Sequence, residues 1–264
     1  MNRILCTIIV AFLVILPTRI YANDAKWQRI FNGKNLDGWL PKIQGYPLGN
    51  NHLNTFIVED GYLTVSYKNY ERFDNKFGHL HYQTKLSQYR LRFSYRFIKQ
   101  QLPDGPKWAY KNSGVMLHGQ DPNTIKLNQS FPVSIEAQLL GADQGKTRTT
   151  MNICTPGTNV SINKTPTSTH CVYSNSFSYS GEQWVQVEVE VMGDEIVRHW
   201  VNGELVFEYT DLVLDPQEQY VDELITNRNN VALSSGYISL QSESHPIQFK
   251  DIELLDYNKA ITTN

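Results

Sequence analysis

Residues 89–97 read YRLRFSYRF, with an aromatic or aliphatic side chain at every second position and mostly polar side chains between. The same alternation recurs in residues 62–66 (YLTVS), 185–191 (VQVEVEV) and 237–241 (YISLQ). A period of two with many aromatic and β-branched residues is typical of strands that bury one face. Helical periodicity is almost absent. The chain is therefore predicted to be an all-β protein.

Turn signals separate the alternating segments. Asn202-Gly203 divides residues 199–209 into two halves, a strong indication of a β-hairpin. One segment differs, because Asp215 can cap a helix that starts with Pro216 and has an acid, Glu218, at the capping-box position. Many strands with one or two short helices predict a β-sandwich of two antiparallel sheets. Nothing resembling a linker divides residues 23–264, so we expect a single domain.

The first 22 residues have the features of a secretory signal peptide. A basic start at Arg3 precedes an apolar run from Ile4 to Leu16, and Ala22 ends a suitable cleavage site. The run is shorter than the roughly 20 residues of a spanning helix, and no second run follows, so no transmembrane segment is predicted. We expect an exported protein, periplasmic or extracellular. A lipid anchor at Cys6 is a weaker alternative, because this cysteine lies too near the start.

Charge and cysteine content narrow the class of partner. Loss of Arg3 and Arg19 with the signal peptide leaves 22 basic and 26 acidic residues, a formal charge of −4. Without a basic stripe, nucleic acid is not expected as a partner.

Cys154 and Cys171 are the two thiols left, and in an oxidising compartment they are predicted to form a disulfide. A metal pair would lack a second Cys or His couple. The oligomeric state is not indicated.

Four segments, in order along the chain, resemble one known family. They are WQRIFNGKNLDGW (27–39), KNSGVMLHG (111–119), SIEAQLLG (134–141) and SGYISLQSESHPIQFKDIELL (235–255). These segments are similar to the 3-keto-disaccharide hydrolase domain, first described as domain of unknown function 1080, over about 230 residues. The resemblance implies a concanavalin A-like jelly roll whose curved sheet forms a groove for carbohydrate. It also implies activity on 3-keto-glycosides.

Strand parity selects side chains for that groove. If Ile135, Ala137 and Leu139 face the core, Glu136 and Gln138 face the groove. In the preceding segment the same parity predicts that Val115 and Leu117 are buried. It then directs the following residues to the groove: Asn112, Gly114 and His118. Gly114 would leave room for a ligand. Glu136 and His118 are the predicted catalytic groups, since a shielded carboxyl and an imidazole both suit proton transfer.

Other side chains are candidates for binding substrate. Trp108 and Tyr110 could provide aromatic platforms for the apolar faces of sugar rings. Arg148 could stabilise an oxyanion, and Asn152 could bind sugar hydroxyls. Core packing is the competing interpretation of the two aromatic residues, whereas Trp27, Trp39 and Trp184 are expected in the core.

A metal site is a further hypothesis, because His79 and His81 are two residues apart and share a face if the segment is extended. With a carboxylate such as Glu136 or Glu71 they could bind a divalent metal. No third ligand is fixed by the sequence, so no cofactor is firmly expected.

Two functions are compatible with these residues. In the first, a base (Glu136 or His118) removes the acidic C2 proton of a 3-keto-glycoside, and the C1 oxygen leaves by elimination. The enolate would be stabilised by Arg148, the histidine pair or a metal. Ordinary glycoside hydrolysis needs two carboxylates, and only Glu136 is placed by the motifs, which favours elimination. In the second, the chain is a non-catalytic glycan-binding module.

Overall fold

The structure is a computed structural model that describes residues 26–143, 145–228 and 230–261. The predicted signal peptide, residues 1–22, lies outside the described residues. None of the helices in the described ranges combines the length and the apolar character of a membrane span.

The described residues form two antiparallel sheets. Their strands, in chain order, are β1 (Gln28–Arg29), β2 (Trp39–Ile43), β3 (Phe56–Glu59), β4 (Tyr62–Val65), β5 (Gly78–Tyr82), β6 (Gln88–Phe97), β7 (Asn112–Gly119), β8 (Ile135–Leu140), β9 (Asn152–Cys154), β10 (Thr158–Ile162), β11 (Thr165–Thr167), β12 (Cys171–Val172), β13 (Val185–Met192), β14 (Ile196–Val201), β15 (Glu204–Leu214), β16 (Tyr237–Ser242) and β17 (Ile247–Asp256). The ten-stranded sheet has the order β11-β10-β15-β14-β13-β6-β17-β4-β3, with β1 paired to β17. The seven-stranded sheet has the order β12-β9-β8-β7-β16-β5-β2. The predicted two-sheet β-sandwich is confirmed.

The alternating segments bury one face between the sheets. Strand β6 buries Leu91, Phe93 and Tyr95, which belong to the same hydrophobic cluster as Val115 and Ile135 of the opposite sheet. Burying one such aliphatic or aromatic side chain stabilises the fold by about 1.5–3 kcal/mol. Packing of the two sheets against each other therefore stabilises the fold, and it determines which face of each strand is left for a site.

Two of the three predicted core tryptophans lie elsewhere. Trp39 is buried, as expected. Trp27 and Trp184 are half-buried, and each ring carries an arginine guanidinium over its face, Arg92 at 4.0 Å and Arg96 at 4.5 Å from the ring centroid. These arginines alternate with the core residues of β6, so the two rings lie on the outer face of the ten-stranded sheet. Cation–π stacking, rather than burial between sheets, holds them.

The helices are short. The described residues contain two α-helices, α1 (Val221–Arg228) and α2 (Tyr257–Ile261), and three 3₁₀ turns at His52–Asn54, Lys107–Ala109 and Pro122–Thr124. The prediction that a helix starts at Pro216 is wrong by several residues. Asp215 does accept a hydrogen bond from the backbone N–H of Gln217. Tyr220, however, has a left-handed φ of 68°, which is incompatible with an α-helix, so α1 begins only at Val221.

Candidate functional site

The outer face of the seven-stranded sheet carries a row of polar side chains that the alternation of β8 predicts. Ile135, Ala137 and Leu139 are buried in the core, which directs Glu136 and Gln138 to the other face. Glu136 lies opposite Met116 of β7, and Gln138 lies opposite Gly114. Glu136 does not face bulk water, because it is only 7% exposed. The predicted groove face is thus shielded from bulk water at Glu136.

A cavity of about 420 Å³ lies over this face. Its floor includes Glu136, Gln138 and Asn112, three of the residues predicted for the groove. Its walls come from loops and from the strand edge, namely Trp108, Phe131, Cys154, Pro156, His170 and Cys171. Phe131 and His170 were not predicted, because neither belongs to a strand whose parity could assign it. The structure therefore brings carboxyl, amide and aromatic groups together in a space of ligand size.

A second carboxyl group, Glu243, lines the same cavity and was not predicted from the sequence. It directly follows β16, in which Ile238 and Leu240 point into the core. Extending that parity by three residues would have placed Glu243 on the groove face beside Gln241. The alternation recognised in the sequence ended at residue 241, so only one carboxyl was predicted for the groove.

Burial disfavours the ionised form of both carboxyls. Desolvation raises the pKa of Glu136 to about 8. Desolvation also raises the pKa of Glu243 well above its usual range, and the nearby charge of Glu136 adds to that rise. No ion pair shorter than 4.0 Å joins either group to a cation among the described residues. Two interacting carboxyls in such a place hold at least one shared proton near neutral pH.

This arrangement predicts how stability depends on pH. The ordinary pKa of a glutamate, 4.5, is lower than the value of about 8 at Glu136, so the folded state holds a proton that the unfolded chain releases in this window. Stability contributed by the protonated carboxyl is therefore lost as pH rises from about 4.5 to about 8. Glu136→Gln removes that loss. We expect its Tm, measured by calorimetry, to exceed that of the wild type by a margin that grows across this window, reaching about 3 °C or more.

The buried histidines act in the opposite direction at acid pH. Desolvation lowers the pKa of His81 to about 3 and that of His199 to about 4, so each favours unfolding as pH falls below about 6.5. Burial likewise lowers the pKa of His79 well below its usual range. These histidines are present in both proteins, so the difference in Tm between variant and wild type isolates the carboxyl. A difference that stays constant between pH 4.5 and 8 would show that Glu136 is ionised in the folded state.

Gly114 determines where the Glu136 carboxyl lies. A Cβ atom added at residue 114 would come 2.5 Å from Oε1 and 2.7 Å from Cγ of Glu136. The space over Gly114 is therefore filled by the Glu136 side chain itself, and the prediction that it is left for a ligand is wrong. The missing side chain at Gly114 instead allows the carboxyl to lie across β7, on the side toward β16 and Glu243.

His118 does not lie in the groove, contrary to the prediction. Its Nε2 is 2.9 Å from the carbonyl oxygen of Gly193, in the turn between β13 and β14 of the other sheet, and its ring packs against Tyr89 of β6. The cause is a bulge at the end of β7. The register with β16 shifts by one residue between Met116 and Gly119, and His118 takes a left-handed φ of 49°. The bulge turns the imidazole into the interior between the sheets.

Asn152 is close to the site but is occupied by protein hydrogen bonds. Its Nδ2 donates to Oε1 of Gln138 at 3.0 Å, and its Oδ1 accepts from Oγ1 of Thr149 at 2.7 Å and from the backbone N–H of Ser174 at 3.0 Å. The side chain is fully buried. Asn152 therefore orients the amide of Gln138 toward the cavity rather than contacting a ligand itself.

The two predicted aromatic platforms have different surroundings. Trp108 is 54% exposed, lines the cavity and stacks on Phe77 with ring centroids 5.8 Å apart and planes 9° apart. The ring of Tyr110 instead packs edge-on against His245, which itself contacts Phe97 of the core. Trp108 can therefore serve as a platform for a sugar ring, whereas Tyr110 packs within the protein and does not.

Arg148 lies at the rim, in a cavity that adjoins the first through Trp108, Gln138 and Cys171. Its Nη1 donates to the backbone carbonyls of Tyr110 and Gly141. The guanidinium is thus fixed beside the acidic pair's cavity but does not belong to its lining among the described residues. A role in stabilising an enolate over Glu136 is not supported by this position.

The histidine pair lies on the groove face, yet its donor set does not fit a divalent metal. The ring centroids of His79 and His81 are 6.1 Å apart, and among the described residues no group of three or more His, Cys, Asp or Glu side chains could hold a metal ion. Lys42 lies opposite His79 in the register of β2 and β5, and its charge contributes to the low pKa of both histidines. A resident ammonium opposes binding of a second cation, and Glu71 is exposed on a separate turn.

The predicted disulfide is present and forms part of the wall of the site. Cys154 of β9 and Cys171 of β12 lie directly opposite each other and are bonded. Both line the cavity with Glu136. The disulfide therefore links the edge strand β12 to its neighbour β9 within the wall of the cavity.

Comparison with solved structures agrees with this architecture. A Bacillus subtilis protein with a galectin-like fold superposes with a TM-score of 0.54 at 11% identity, over 88% of this chain and 94% of that one. A candidate glycosyl hydrolase from Parabacteroides distasonis gives a TM-score of 0.48 at 15% identity, over 91% and 98% of the two chains. A carbohydrate-binding module from Bacillus subtilis, CBM66, gives 0.42 at 9% identity, over 68% and 82%. The first of these likenesses shows a lectin-like jelly roll.

Sequence comparison assigns the chain more closely than the fold does. No curated protein matches it. The model of one domain family, however, matches residues 26–255, which include every strand of both sheets up to the penultimate residue of β17. On this match, the chain belongs to the family of the 3-keto-alpha-glucoside-1,2-lyase-like domain.

Proposed function

We propose that this chain is an exported enzyme that cleaves 3-keto-glycosides in the cavity over Glu136. The observation that carries the proposal is the pair of buried carboxyls, Glu136 and Glu243, at the floor of a cavity with an aromatic wall. Burying two carboxyls without a cation is unfavourable for folding, and such groups cluster at sites that transfer protons. The disulfide and the expected signal peptide support export to the periplasm or the exterior.

The pair can perform both proton transfers of an elimination. A ketone at C3 acidifies the C2–H bond. An ionised carboxyl of the pair accepts the C2 proton, and the electrons of that bond form an enolate. When the enolate collapses, a C1–C2 double bond forms and the C1–O bond breaks. The protonated carboxyl gives its proton to the departing oxygen, and water can then add across the double bond. Near pH 8, the pKa of Glu136, molecules with one ionised and one protonated carboxyl are well populated, so both roles are then available.

Gln138 and Asn112 are suited to orient the sugar ring. Gln138 is held through its Oε1 by Asn152, so its amide N–H groups can donate to sugar oxygens. Among the described residues none donates a hydrogen bond to the buried Oδ1 of Asn112, so this atom can accept one from a sugar hydroxyl. Trp108 supplies the flat apolar surface against which a ring can stack.

Glu243 also supports a second candidate, ordinary glycoside hydrolysis by two carboxyls. Elimination was favoured from the sequence because one carboxyl was found there, and the second carboxyl removes that reason. Two carboxyls flanking the bond can act as acid and as base or nucleophile without any ketone. The 3-keto route rests on the family, and the two-carboxyl route rests on the geometry.

A comparison of matched substrates separates these functions. Purified protein is incubated with a glucoside and with its 3-keto counterpart carrying the same aglycone, with and without a chelator, and aglycone release is followed. Release from the 3-keto compound alone supports the proposal, and equal release from both supports ordinary hydrolysis. Binding without release from either would identify a glycan-binding module and overturn the enzyme proposal. Loss of release in the presence of the chelator would show that a metal takes part and would contradict the metal-free roles given to the two carboxyls.

A further inference from the structure

A second cavity of about 530 Å³ adjoins the cavity of the acidic pair. Trp108, Gln138 and Cys171 line both cavities, so the two spaces adjoin each other. The second space is completed by the following side chains: Leu140, Thr147, Arg148, Thr149 and Tyr173. A ligand that reaches the carboxyls with one ring can therefore place a second ring here.

Two aromatic rings of this second cavity are unusually accessible. Trp108 is 54% exposed and Tyr173 is 74% exposed. Large aromatic side chains of this kind are mostly covered in folded proteins, and exposed rings that line a groove are typical of ligand-binding surfaces. The stacking of Trp108 on Phe77 keeps its ring in place. These two side chains suit a ligand with a flat face.

Arg148 adds a positive charge to the same cavity. It is half-buried, and the two backbone carbonyls of Tyr110 and Gly141 hold its Nη1. Asp143 acts on the guanidinium electrostatically, but among the described residues no ion pair shorter than 4.0 Å joins Arg148 to an acid. A guanidinium has five N–H donors, so donors remain for a carboxylate of the ligand.

We propose that this second cavity binds the leaving group of the substrate and selects a ring that carries a carboxylate, recognised by Arg148 and stacked against Trp108 and Tyr173. The inference rests on the proposed function for the assignment of the leaving group. The selection of a carboxylated ring rests on the cavity alone. Both a uronic acid and an aromatic acid satisfy it, since each combines a carboxylate with a ring face that can stack on an aromatic side chain.

The test measures binding of isolated ring compounds by ligand-observed NMR titration, which needs no turnover. Glucuronate is compared with glucose, and 4-hydroxybenzoate is compared with phenol. At low ionic strength we expect the carboxylated member of at least one pair to bind about tenfold more tightly, as a charge-assisted hydrogen bond implies. Arg148→Gln should abolish the preference while the neutral members bind as before. The preference should also weaken in added salt.

Two controls accompany this test. Lys146→Gln removes one positive charge from the same loop at an exposed residue and should keep the preference intact. Melting curves show whether Arg148→Gln, which loses the bonds to two carbonyls, stays folded, and Arg148→Lys retains the charge if it does not. Equal binding of carboxylated and neutral compounds, or a preference that survives Arg148→Gln, would overturn the proposal. If the protein does not cleave 3-keto-glycosides, the proposed function and the assignment of the leaving group are wrong. The preference for a carboxylated ring is still tested, because the binding measurements do not depend on turnover.

Discussion

Replacing Glu136 by glutamine should lower turnover of a 3-keto-glycoside by roughly 100-fold or more, as expected for loss of a general acid–base group. The substitution preserves the size of the side chain and its position over Gly114. It removes the group that gains or loses a proton. Substrate affinity should change little, because Gln138, Asn112 and Trp108 remain. Steady-state kinetics should therefore show the loss in kcat rather than in KM.

Two matched variants make this result specific to the buried pair. Glu243→Gln should cause a loss of similar size, since in the proposed elimination one carboxyl accepts the C2 proton and the other donates to the departing oxygen. The combined variant should be little worse than either single one, because groups that act as a unit are not additive. Glu204→Gln, at an exposed residue of β15 in the other sheet, should leave turnover unchanged.

If the Glu136→Gln variant keeps full turnover, the Glu136 carboxyl is only a ligand contact and takes no part in proton transfer. The base would then be sought at His79, whose buried Nε2 has no hydrogen-bond partner in the part of the chain that the structure describes. His118 is no longer an alternative, because its ring lies between the sheets.

Local alternation explains the part of the site that the sequence predicts. In β8, parity depends only on which residues are apolar, so Ile135 and Ala137 in the core are enough to place Glu136 and Gln138 on the groove face. The same rule would have found Glu243. That residue lies more than a hundred positions from Glu136 in the chain, and only the sheet order, with β7 between β8 and β16, makes the two neighbours.

Parity fails where the backbone departs from a regular strand. His118 follows the alternation of β7 in sequence, but the bulge beside it inverts the direction of its side chain. A bulge depends on the pairing with β16, a contact that a local pattern does not contain. The half-buried Trp27 and Trp184 are a different case, because a pattern of apolar residues does not distinguish burial in a core from stacking under arginine.

The site requires a glycine at residue 114 as well as the two carboxyls. Because the space over Gly114 holds the Glu136 carboxyl, any Cβ there must move it. The end of a long side chain can shift at little energetic cost, so a fold that tolerates Gly114→Ala need not retain the geometry for proton transfer. Displacement of a reacting group by about 1 Å can lower the rate by roughly 100-fold.

Gly114→Ala should therefore lower kcat by roughly 30- to 100-fold while the protein stays folded. Gly114 has no left-handed φ, so alanine is compatible with its backbone, and the three atoms nearest to the added Cβ all belong to the flexible Glu136 side chain. If the glycine acts through the carboxyl, adding Gly114→Ala to Glu136→Gln should cost little further activity in a double-mutant cycle. Gly114→Ala should also lose less stability than the wild type as pH rises from about 4.5 to about 8. A displaced carboxyl is less desolvated, so the pKa of Glu136 falls toward its ordinary value. An additive loss in the double variant, with no change in the pH dependence of Tm, would mean that Gly114 serves packing of the sheet and not the position of Glu136.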